Sequence, residues 1–93
     1  MTDKFVSCHI LFKGIVQGVG FRYTAAHIAR SLSLAGFARN LYTGDVEVKV
    51  EGDKDKIKEF IRELEEEMKG YISKTETSWG EFKGEFGDFT IRF

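Results

Sequence analysis

The sequence predicts an α+β sandwich: an antiparallel sheet with two helices on one face and a short extra C-terminal strand. Three observations lead there. Two stretches carry apolar residues at helical spacing, several short runs alternate with period two, and the runs follow one another as strand, helix, strand, strand, helix, strand.

The first run, residues 4–13 (KFVSCHILFK), reads as a strand. Val6, Cys8, Ile10 and Phe12 fall on one face, Ser7, His9 and Leu11 on the other, so the first set is assigned to the core. Residues 14–21 (GIVQGVGF) hold three glycines and read as a shaped loop, because glycine accepts positive φ and lets another group approach the backbone. Residues 22–34 read as a helix: Phe21, Ala25, Ile28, Ala29 and Leu32 keep helical spacing, and Gly36 lies just beyond its end. Residues 36–42 and 45–51 read as a strand pair turning at Thr43-Gly44. In the second of these, Val46, Val48 and Val50 alternate with Glu47, Lys49 and Glu51. Residues 53–69 read as a second helix, with Asp53 as N-cap, Ile57, Phe60, Ile61, Leu64 and Met68 as its apolar stripe, and Gly70 as its end. Its run of mixed charges (DKDKIKEFIRELEEEMK) reads as a solvated face. Strands near 71–82 and 86–93 complete the order, the last marked by Phe89, Ile91 and Phe93. This β-α-β-β-α-β order is the ferredoxin-like plan.

Composition sets the boundaries. A chain of 93 residues with 42% hydrophobic content and nine Phe is expected to form one domain, residues 1–93, with a packed core. A net charge of −1 offers no field for nucleic acid or an anionic membrane, so neither is expected as a partner. Any phosphate must be held by a local device. The lone Cys8 excludes an internal disulfide, and the absence of a signal-like start or a bilayer-length apolar run favours a reducing cytoplasmic setting.

A glycine-rich loop between a strand and a helix is one way to hold phosphate. Backbone N–H groups converge on the anion and the helix N-terminus favours its charge. Alone, Gly14, Gly18 and Gly20 with Arg22 are as consistent with a plain turn. The nucleotide P-loop is excluded because three residues, not four, separate Gly14 from Gly18 and no Lys follows. The dinucleotide fingerprint is excluded because Tyr23 stands where its third glycine belongs. The string GVGFRY faintly matches an RNA-recognition strand motif, but lies between a strand and a helix instead of on a third strand.

Two blocks together are more specific. Gly14-Ile15-Val16-Gln17-Gly18-Val19-Gly20-Phe21-Arg22 resembles the acylphosphatase signature Gly-x-Val-Gln-Gly-Val-x-Phe-Arg. Gly36-Phe37-Ala38-Arg39-Asn40, followed by Gly44-x-Val46-Glu47, is similar to that family's second block. The resemblance spans essentially the whole chain and is most specific over residues 12–52. It implies hydrolysis of carboxyl–phosphate mixed anhydrides without metal, cofactor or phosphoenzyme. It further implies that Arg22 binds the phosphoryl group, that the backbone N–H groups of Val16, Gln17, Gly18, Val19, Gly20 and Phe21 cradle it, and that Asn40 orients the attacking water. Inorganic phosphate or sulfate is the expected bound anion, and a monomer is the expected state. Phe37 and Ala38 replace the family's usual Trp and Val, Thr43 its usual Asp or Asn, and Gly70-Tyr71 a common Gly-Pro; none of these is a catalytic position.

The chemistry suits these residue types. A carboxylate is a good leaving group, so the task is to neutralise a dianionic phosphoryl group and set water in line. Arginine contributes a planar fork that never deprotonates. An amide both donates to and accepts from water. Each residue also has a plainer reading: Arg22 as a surface cation, Asn40 as a turn residue, Gln17 as loop scaffolding. His9 and His27 are assigned non-catalytic roles and Cys8 a buried inert thiol. Arg39 has strand parity opposite to Asn40 and is read as structural or surface. Trp79 and the terminal phenylalanines are read as core or edge packing. The alternatives are a non-catalytic phosphate-binding module of the same fold, as found at the start of large hydrogenase-maturation proteins, and an RNA-binding domain.

Overall fold

A computed structural model describes residues 4–93. The elements are β1 (Phe5–Gly14), α1 (Phe21–Ser31), β2 (Ala35–Asn40), β3 (Val46–Asp53), α2 (Lys54–Glu67), β4 (Ile72–Glu81) and β5 (Phe89–Arg92). They form one five-stranded sheet in the order β4-β1-β3-β2-β5. The expected α+β ferredoxin-like plan is therefore present.

The core follows from the alternation. Cys8, Ile10 and Phe12 of β1 and Val46, Val48 and Val50 of β3 are fully buried, and in register these strands place Cys8 opposite Val50 and Ile10 opposite Val48. Phe21, Ala25 and Ala29 of α1 and Ile57, Phe60 and Leu64 of α2 join the same cluster. Asp53 caps α2 as its sequence suggests, its Oδ1 accepting from the N–H of Asp55 at 2.9 Å.

Four features beyond the sequence reading have local causes. First, the sheet is mixed. β5 runs parallel to β2, pairing Gly36 with Phe89 and Ala38 with Ile91; alternation reveals a strand but not the direction of its partner. Second, α1 stops at Ser31, and the left-handed residue just beyond it is Ser33 (φ 59°). Third, Gly36, read as lying just beyond the helix and heading a strand, is in that strand for a steric reason that spacing does not reveal. It lies inside β2 at φ 148°, where a Cβ would stand 1.9 Å from the carbonyl oxygen of Lys49 on β3. Gly36→Ala is therefore expected to cost about 3 kcal/mol through overpacking and backbone strain. It should appear as a lower urea midpoint at unchanged slope, and an unmoved midpoint would refute the steric reading.

Fourth, Glu51 does not face solvent. It is 2% exposed, because residues 82–88 cross the sheet face opposite the helices. Its carboxylate accepts from the N–H groups of Lys83 (2.9 Å) and Glu85 (3.0 Å). Phe82 packs edge-on against Phe5 and Phe86 against Phe37, so this connection is fixed by both polar and aromatic contacts.

Candidate active site

The loop from Ile15 to Gly20 is shaped at both ends. The N–H of Ile15 donates to the carbonyl of Tyr71 at 2.8 Å, and the Val16 side chain is fully buried. Gly18 and Gly20 take left-handed φ values of 78° and 76°, which turn the chain directly into α1. Gly20 is the N-cap residue and supplies no side-chain acceptor, and the first turn of α1 holds no acid. The positive end of the helix is thus open to an anion. Phe21 anchors this end in the core, its ring 5.1 Å from that of Phe12.

Arg22 stands in that first turn. One Nη donates to the carbonyl of Arg92 at 3.0 Å, and the guanidinium lies 4.6 Å from the Phe93 ring centre. Phe93 is thus not core packing: it is 90% exposed and stacks against the arginine. Asn40 ends β2, just before the turn closed by the N–H of Gly44 on the carbonyl of Leu41. Its Oδ1 is buried and without a hydrogen-bond partner. Such an acceptor costs about 1–3 kcal/mol unless a ligand or water satisfies it.

These elements meet around a cavity of about 180 Å³ lined by Val16, Gly18, Gly20, Phe21, Arg22, Tyr23 and Asn40. That volume is below the roughly 300–1,000 Å³ typical of pockets for whole drug-sized ligands, and suits one small group. The fold thus brings Arg22, Asn40 and much of the loop together. Gln17 and Val19 do not line the cavity. Gln17 instead spans loop and hairpin, its Nε2 donating to the carbonyls of Leu41 (2.6 Å) and Asp45 (2.9 Å). Lys13 makes a second tie to the hairpin, pairing with Asp45 at 2.9 Å. That bond and its charges hold Lys13 above, and Asp45 below, their ordinary pKa ranges. Both ties keep the strand end bearing Asn40 in place against the loop. Tyr23 is the lining residue that sequence reasoning did not select; its position beside Arg22 at a helix start was the only signal.

The remaining candidates lie elsewhere. Arg39 projects to the opposite sheet face, where Glu47 bridges it to His9 (Nε2 to Oε2, 2.8 Å). Burial would raise the Glu47 carboxyl, but the hydrogen bonds and charges of His9 and Arg39 outweigh it and hold it below the usual carboxylate range. Cys8 is fully buried, and burial pushes its thiol up to about 11, so it is no nucleophile at neutral pH. Among the described residues no cluster of three or more His, Cys, Asp or Glu side chains could hold a metal ion, and no helix is long and apolar enough to cross a membrane.

A split β-α-β sandwich with an uncapped helix start, two left-handed loop glycines and an arginine around a small cavity has the elements that a phosphate-binding loop requires. The family model for acylphosphatase matches residues 8–91. An acylphosphatase from Caldanaerobacter subterraneus subsp. tengcongensis is 43% identical over 84 residues, covering 89% of this chain and 93% of that protein. The solved acylphosphatase from Coxiella burnetii superposes with a TM-score of 0.86 at 31% identity, over 99% of this chain and 100% of that one. Full-length HypF, solved in its phosphate- and nucleotide-bound form, matches with a TM-score of 0.89 at 34% identity, over 100% of this chain but 12% of its own. The chain belongs to the acylphosphatase family, and its activity is the hydrolysis of acyl phosphates.

Proposed function

We propose that hydrolysis proceeds by in-line attack of a water set by Asn40 on a phosphoryl group held by Arg22 and the loop N–H groups, with no metal. The water oxygen forms a bond to phosphorus while the bond to the acyl oxygen breaks. The electron pair leaves with the carboxylate, and the water's proton passes to a phosphoryl oxygen. Because the leaving group is already a weak base, no side chain need act as general acid. The protein's share is charge compensation and alignment, through donors that are in place before the substrate arrives.

The buried, unpartnered Oδ1 of Asn40 carries this reading. Asn40 lines the cavity that also holds Arg22, and an amide there can both donate to and accept from an attacking water. The structural likeness to part of HypF keeps a binding-only module in view, but the match along nearly the full length of a free-standing acylphosphatase favours catalysis.

The test is hydrolysis of benzoyl phosphate with excess EDTA. Undiminished turnover is expected. Loss on chelation, restored by a divalent cation, would overturn the metal-independent mechanism. A folded protein that binds phosphate but does not turn over would point to the binding module.

A further inference from the structure

A second groove, of about 410 Å³, runs beside the phosphate cavity and is lined by Tyr23, Thr24, His27, Ile28 and Glu67. Tyr23, 62% exposed, belongs to both and is the wall they share. Tyr23 with His27, and Thr24 with Ile28, are spaced four apart on α1 and so form one continuous face. Ile28 is nearly buried and gives the groove an apolar floor, and the Thr24 hydroxyl is already committed to the carbonyl of Gly20 at 3.0 Å.

The far wall is Glu67, the last residue of α2. A carboxylate there faces the negative end of its own helix, and the last turn holds no basic residue. No ion pair engages Glu67 among the described residues. The surface therefore runs from positive, at Arg22 and the α1 start, across an aromatic ring, to negative at the α2 end.

We infer that this groove is the acyl subsite, and that it favours acyl groups with an apolar or aromatic body ending in an ammonium over those ending in a carboxylate. The inference rests on the phosphoryl group occupying the Arg22 cavity. An acyl group leaving that cavity past Tyr23 enters the groove; its body lies on Tyr23 and Ile28, and a terminal cation reaches Glu67. A terminal carboxylate meets Glu67 with like charge.

The experiment compares kcat/KM for para-aminomethyl-benzoyl, benzoyl, para-carboxybenzoyl and acetyl phosphates. The ammonium substrate is expected to exceed the carboxylate one by roughly fivefold, the size of an exposed ion pair. The ratio should shrink in high salt. Glu67→Gln should bring it near unity, while Glu59→Gln, a neutralisation earlier on α2, should leave it in place. Tyr23→Ala should lower the ratio of benzoyl to acetyl phosphate about fivefold, since an acetyl group is too short to use the ring. Equal rates for the charged substrates, or a preference that survives Glu67→Gln, would overturn the subsite. If acetyl phosphate too is not hydrolysed, the reading of the Arg22 cavity itself fails.

Discussion

Replacing Arg22 with Ala is expected to lower kcat/KM for benzoyl phosphate about a thousandfold or more while leaving the fold intact. The size follows from what the guanidinium does. It is the one permanent cation lining the small cavity, and in the proposed mechanism the charge it meets is a dianion spread over oxygens that its fork can engage in pairs. The fold should tolerate the change because the Arg22 contacts are peripheral: one exposed hydrogen bond to the Arg92 carbonyl and one stacked, exposed ring. The check is turnover measured beside a urea unfolding curve. Arg22→Lys keeps the charge but loses the fork, and should recover only part of the loss. Full activity in Arg22→Ala would remove the centre of the mechanism.

The second large effect is on Asn40→Ala, where kcat should fall about a hundredfold, the scale of losing one preorganised polar group at a reacting centre. Inhibition by inorganic phosphate should change little, because the proposed mechanism leaves the loop N–H groups and Arg22 to hold the anion. The substitution also removes a buried acceptor that lacks a protein partner, so stability should not suffer by the usual cost of a broken hydrogen bond. Equal weakening of turnover and phosphate inhibition would reassign Asn40 to substrate binding.

Much of this was legible in the chain because the relevant signals are local. The valine alternation at Val46, Val48 and Val50, the Asp53 cap and the stripe Ile57, Phe60, Leu64 are set by neighbours within a few residues, and each appears where the sequence places it. Arg22 and Asn40 stand out through the two motif blocks, and the fold places both on one cavity. What sequence did not reveal depends on distant partners. Gly36 reads as the head of a strand, but why only glycine fits there shows only when Lys49 is seen against it. Glu51 belongs to a polar alternation until the connection at 82–88 covers it. Phe93 reads as either core or edge packing because strand parity says nothing about whether anything lies above it. Gln17 sits inside the phosphate-loop motif, yet its side chain reaches across to the hairpin, a role that needs the tertiary arrangement.

The parallel pairing of β5 with β2 also has a consequence for the order of assembly. Residues 36–39 find their outer partner only at 89–92, about fifty positions later in the chain. A chain growing from its N-terminus can complete β1, α1, β2 and β3 while one side of β2 still displays unpaired N–H and C=O groups. Such an exposed border is a template for another chain. The four residues of β5 close it, at the end of a connection that Glu51 fastens. β4 does the same for the open side of β1, so the late strands cover both borders and leave only the four residues of β5 as the edge beyond β2.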